Sequence, residues 1–174
     1  MPEDATPAGA TTSDARTLVG ELAARGMTIA VAESLTGGLL ASRIVDVPGA
    51  SAVFTGGIVA YATQLKHDLL GVDAGLLAER GPVDPDVARQ LAEGVRRACA
   101  VGGAPADLGI ATTGVAGPDP QAGKRAGTVF VGVASARGAR ALELALPGER
   151  AAIRAATVDA AIAAALDEVR NIRR

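Results

Sequence analysis

The run Met27–Ala32, MTIAVA, is a short strand without the polar–apolar alternation of a half-exposed sheet. A strand of that kind needs cover on both faces, which calls for helices on either side of a largely parallel sheet. The rest of the chain keeps to that plan. Ser13 caps a helix over Asp14–Arg25, which Gly26 ends. After the first strand, Ser34 or Thr36 caps a second helix that runs to about Val45. Ala52–Tyr61 is a second strand, with Gly56 and Gly57 inside it as the mark of a bulge or a close backbone approach. Thr63–Leu70 reads as a helix. Asp84 and Pro85 open another that reaches about Ala100, with Asp84 as cap and Pro85 at the first helical position.

Asp107–Thr112 is a third strand, followed by the long loop TGVAGPDPQAG and a fourth strand, Thr128–Ala134. Ala141–Leu146 alternates and reads as an edge strand antiparallel to the fourth. An Ala-rich helix from about Glu149 to Ile172 closes the chain. The expected class is therefore α/β: a three-layer α/β/α sandwich on a mostly parallel, mixed sheet with an antiparallel edge strand. Residues 1–12, rich in Pro, Ala, Thr and Gly, read as a disordered leader before one domain over 13–174.

Composition narrows the function classes. Hydrophobic residues make up 49% of the 174, but aromatics only 2%, so the core is built from Ala, Val, Leu and Ile and depends on close backbone packing. A net charge of −2 gives no footprint for nucleic acid. No apolar run approaches the roughly 18–20 residues that span a bilayer, and the N-terminus lacks the pattern of a secretory signal. The single cysteine, Cys99, forms no intramolecular disulfide or multi-cysteine metal site and reads as a structural thiol. These features describe a soluble, cytoplasmic, single-domain protein.

Three unusual segments fall where strands lead into loops: Glu33–Gly38, Tyr61–Lys66 and Thr112–Gly117. Ligands of parallel α/β sheets gather at such carboxyl ends. Ser34 has two readings, an N-cap or a nucleophile. A nucleophile needs a base, and the only histidine, His67, lies mid-helix. The other available base is a lysine whose pKa burial has lowered. Of 17 basic residues only Lys66 and Lys124 are lysine, and one helical turn after Tyr61 directs Lys66 towards the end of the first strand. Lys66 is otherwise a solvated helix residue. Thr36, Gly37 and Gly38 at a helix start, or Thr112, Thr113 and Gly114, suit a phosphate or an oxyanion. Arg150 and Arg154, spaced i,i+4, form one face that suits a phosphate clamp or solvent. Glu33 either orients Lys66 or a substrate hydroxyl, or fixes its own loop; Asp119 reads as a turn residue.

Together the segments AESLTGGLLASRIVDVPGAS, FTGGIVAY with Lys66, LLGV, ATTGVAGP, GTVFVGVA and GERAAIR resemble the CinA C-terminal domain family. Its enzymatic members are nicotinamide-nucleotide amidohydrolases. The resemblance implies hydrolysis of the carboxamide of nicotinamide mononucleotide to nicotinate mononucleotide and ammonia. It puts the nucleophile on Ser34 and the base on Lys66, with Tyr61 assisting and Thr112, Thr113 and Gly114 lining the substrate site. It implies no metal or organic cofactor, and a homo-oligomer, a dimer or larger. The loop after Gly117 and the Ala-Thr after Tyr61 depart from the family's usual pattern, as does Asp84, where many relatives carry Ser. The larger N-terminal domain of many CinA proteins is not in this sequence, so a stand-alone form is expected. A second class of function also fits the family: a nucleotide-binding or competence- and DNA-damage-associated partner protein without hydrolysis.

Overall fold

A computed structural model describes residues 9–172 of the chain, with side chains from Ser13 onwards. The elements in chain order are α1 (Gly9–Arg25), β1 (Ile29–Glu33), α2 (Leu39–Val45), β2 (Phe54–Val59), α3 (Thr63–Leu70), α4 (Ala74–Arg80), α5 (Pro85–Ala98), β3 (Leu108–Gly114), β4 (Thr128–Ser135), β5 (Gly138–Ala145) and α6 (Arg150–Asn171). One five-stranded sheet has the order β2-β1-β3-β4-β5. β1 pairs parallel with β2 and β3, whereas β4 runs antiparallel to both β3 and β5.

The three-layer α/β/α class is the one the sequence pattern predicts, and β5 is the expected antiparallel edge. β4 is the strand that reverses. A parallel return from β3 would need a crossover of a dozen or more residues, usually helical, and the 115–127 loop contains no helix. Two further differences are local. α1 begins at Gly9, ahead of the expected Ser13 cap; the rest of the expected leader, residues 1–8, lies outside the described residues. α4 is an additional helix, capped by Asp73, which accepts from the Leu76 amide at 2.7 Å, and ended by Gly81.

The alternation along each strand sorts large from small side chains. Ile29 and Val31 of β1, Leu108 and Ile110 of β3, and Val131 and Val133 of β4 pack against α1, α2 and α6. The opposite face carries Ala30, Ala32, Ala111 and Ala134, packed with Val87, Leu91 and Val95 of α5. Gly109 and Gly132 lie under the same helix: a β-carbon on either would run into a carbonyl oxygen of α5, that of Ala92 or Ala88. A core with few aromatics is thus completed by seating a helix backbone almost on the sheet. The glycine pair in β2 marks a close approach, since a β-carbon on Gly57 would lie 2.9 Å from Val31 Cγ2, and the bulge falls just before it, at Thr55, where the β1–β2 register slips.

Because β1, β2 and β3 run the same way, their carboxyl ends share one edge of the sheet. α2 leaves β1 towards one face, whereas α3 and α5 reach the other. The crevice between strand ends where successive helices part is where such sheets bind ligands.

Candidate active site

The three loops at that edge enclose a pocket of about 110 Å³. Ser34 stands one residue past the end of β1, its amide donating to Thr112 O at 3.1 Å and extending the β1–β3 ladder onto the loop. Lys66 comes from the first turns of α3. Its side chain is 1% exposed, among the most buried of the large residues. The amine reaches Ser34 Oγ at 3.3 Å, Ala60 O at 2.7 Å and Tyr61 O at 3.3 Å. Burial lowers its pKa from 10.5 to about 8.

The three partners define what the amine can do. An ammonium donates to all of them. A neutral amine keeps its two N–H bonds for the carbonyls and turns its lone pair to the one partner with a proton to give, the Ser34 hydroxyl. The arrangement therefore suits proton transfer from serine to lysine.

Tyr61 contributes its carbonyl to Lys66, while its ring is 62% exposed and its hydroxyl accepts from Arg150 Nη2 at 3.3 Å. Arg150 also donates to Gly117 O at 2.9 Å and lines the pocket, bridging the second and third loops. Thr113 and Gly114 line the pocket as well, Thr113 Oγ1 donating to Pro82 O at 2.6 Å.

Other expected contacts lie elsewhere. The Glu33 carboxylate does not face Lys66 or the pocket. It is 2% exposed and accepts from the amides of Gly38, Leu40 and Ala41 at 2.9, 3.1 and 2.8 Å. It thus caps α2 in place of Ser34 or Thr36, from the strand before the helix. This also removes Gly37 and Gly38 as a phosphate or oxyanion cradle. The Gly38 amide is taken by Glu33 and the Gly37 amide by Ser34 O. Thr36 and Thr112 are buried and bond to each other, Oγ1 to Oγ1, at 2.8 Å, tying the first loop to the end of β3. Arg154 is not half of a phosphate clamp, because its guanidinium donates to Leu35 O and Thr36 O, each at 2.9 Å. Helical spacing put the two arginines on one face, but only Arg150 lines the pocket.

The pocket wall also holds Pro82, Val83, Gln121 and Asp119, the last read as a turn residue. The sequence marks TGVAGPDPQAG as a long loop, but not which of its side chains turn inward. Among the described residues no group of three or more His, Cys, Asp or Glu is placed to hold a metal. No described helix is long and apolar enough to cross a membrane.

Comparison with known proteins places the fold in a family. The family model of the CinA C-terminal domain matches residues 11–169. A CinA-like protein of Frankia casuarinae is 50% identical over 155 residues, and one of Geobacter sulfurreducens 47% identical over 139, covering 89% and 79% of the chain. The chain spans about a third of the length of these relatives, 34% and 32% respectively. Among solved structures, the competence/damage inducible protein CihA of Agrobacterium tumefaciens superposes with a TM-score of 0.86 at 31% identity, over 97% of this chain and 100% of that one. A CinA superfamily protein of Klebsiella pneumoniae gives a TM-score of 0.87 at 27% identity, over 93% of this chain and 99% of that one. With a family match over nearly its whole length and a solved relative covered end to end, the chain belongs to the CinA C-terminal domain family.

Proposed function

We propose that the domain is a serine–lysine amidohydrolase that deamidates nicotinamide mononucleotide to nicotinate mononucleotide and ammonia. The reading rests on one observation above the others: the buried Lys66 amine lies 3.3 Å from Ser34 Oγ, with its two remaining partners both carbonyls. A binding module has no need of that pairing. Family resemblance supplies the substrate; Arg150, on the pocket wall, offers the nucleotide phosphate a partner.

Neutral Lys66 takes the Ser34 proton as the oxygen attacks the carboxamide carbon, giving a tetrahedral intermediate. Lysine, now protonated, passes its proton to the amide nitrogen, the C–N bond breaks and ammonia leaves. The acyl group remains as an ester on Ser34. Water, deprotonated by the same amine, attacks the ester carbon; the carboxylate product departs and Ser34 recovers its proton. The oxyanion donors lie among amides not spent inside the loops. Those of Leu35 and Gly114, both in pocket-lining residues, have no hydrogen-bond partner among the described residues. Each such donor is worth about 3 kcal/mol of barrier.

The test is ammonia release from nicotinamide mononucleotide by purified protein, against Ser34→Ala. Release that the variant lacks supports the reading. Equal traces from both would overturn it in favour of a non-hydrolytic nucleotide-binding role.

A further inference from the structure

We propose that Arg154, which lies outside the pocket wall, is a positioning residue for the nucleophile: its two hydrogen bonds set the peptide planes of the Ser34 turn and so aim the Leu35 amide. The inference rests on the hydrolytic reading above.

Ser34 to Gly37 is a tight turn closed by the Gly37 amide on Ser34 O at 3.1 Å. Its two central residues, Leu35 and Thr36, present their carbonyls to one guanidinium, Arg154 Nε to Leu35 O and Nη2 to Thr36 O. A fork that grips two successive carbonyls fixes two successive peptide planes, because each peptide unit is rigid. The Thr36 carbonyl accepts from the Leu39 amide as well, at 3.2 Å, which joins the turn to the start of α2. From the other side Glu33 holds the α2 amides. The turn is therefore pinned by an acid on N–H groups and by a base on C=O groups, with Ser34 between them. Gly37, at φ +60°, completes the fit: a β-carbon there would already stand 3.4 Å from Arg154 Nη2.

The pinning accounts for the amides of the turn selectively. Those of Ser34, Gly37 and Gly38 are bonded within the fold; those of Leu35 and Thr36 are not, and of these two only Leu35, the residue after the nucleophile, lines the pocket. The amide following a nucleophilic serine on a strand-to-helix turn is a recurrent oxyanion donor. Releasing the Leu35 carbonyl would let the turn rotate and that donor drift, while the two carbonyls that hold Lys66, those of Ala60 and Tyr61, stay in place in the loop after β2. The loss then falls on the chemical step rather than on substrate binding.

Arg154→Gln and Arg154→Lys provide the test, with thermal unfolding to confirm that each is folded. Arg154→Gln is expected to lower kcat by ~100-fold, the effect of one oxyanion donor. Its KM should stay within about twofold and the midpoint of its pH–rate profile should not move. Arg154→Lys, which keeps the charge and a single donor position, should fall between, and ethylguanidinium should partly restore an Arg154→Ala variant. A kcat within about threefold of wild type in folded Arg154→Gln, or a loss in KM alone, would overturn the proposal while leaving the hydrolytic reading intact. If the wild type releases no ammonia, that reading fails first. Labelling of Ser34 by a fluorophosphonate, read by intact mass, then decides: slower labelling of Arg154→Gln supports the clamp, and equal rates overturn it.

Discussion

Lys66 and Ser34 meet across 32 residues of sequence, one carried on α3 and the other just past β1, with their functional atoms 3.3 Å apart. Because burial holds the lysine pKa near 8, about a tenth of the molecules carry the neutral amine at pH 7. Activity should therefore climb about tenfold per pH unit below pH 8 and level off above it. A pH series of kcat/KM checks this, and a flat profile from pH 6 to 9 counts against Lys66 as base. Lys66→Met should lose activity by about 1000-fold at every pH.

The same amine leaves a signature in stability. Its folded pKa, about 8, lies below the 10.5 of the unfolded chain, so between those values unfolding takes up a proton and stability rises with pH. Below pH 8 the folded state bears the full cost of the buried charge. Lys66→Met removes the titration, although it leaves the Ala60 and Tyr61 carbonyls without their donor. Between pH 7 and 9.5 the stability of the wild type relative to the variant should therefore increase by about 2 kcal/mol. Urea unfolding of both proteins at the two pH values measures it; a constant difference would mean the lysine titrates normally.

Much of this site could be read from the residues. The apolar strand ending at Ala32, the scarcity of lysine, and the spacing from Tyr61 to Lys66 all led to the pair that meets. What failed has a common cause. Glu33 and the Gly37–Gly38 amides after β1, and Arg154 of α6 beside them, are polar groups chemically suited to a substrate, and sequence does not say that they bond within the turn and the start of α2 first. The helix cap coming backwards from Glu33 lies outside the usual search for Ser, Thr, Asp or Asn at the helix start. The reversal of β4 was legible in the helix-free loop before it. So was the seating of α5, in the large–small alternation of IAVA and VGVA, where period two separates the two faces of the sheet.

That seating makes a prediction about glycine. Gly132→Ala sets a methyl against the Ala88 carbonyl of α5, so strand or helix must shift; a loss of about 3 kcal/mol is expected. Gly20→Ala, at an exposed position of α1 with nothing within 4 Å of the new carbon, should instead stabilise by about 1 kcal/mol. Chemical denaturation of the two variants separates close packing from a general intolerance of glycine replacement.

Glu33 gives the last test, because its position beside the nucleophile suggests chemistry and its contacts describe a cap. Glu33→Ala abandons three amides at the start of α2, two of them in partly buried surroundings and one fully buried. The expected loss is about 3 kcal/mol, more than for an exposed cap, because a charged acceptor is removed from buried donors. Glu33→Gln keeps one acceptor oxygen but brings an NH₂ group against donors, and should recover less than half of that. Since the carboxylate does not reach the pocket, neither folded variant should change KM for nicotinamide mononucleotide by more than about twofold. A KM raised tenfold in Glu33→Gln, with stability unchanged, would instead make this carboxylate a substrate ligand and require the turn to open on binding.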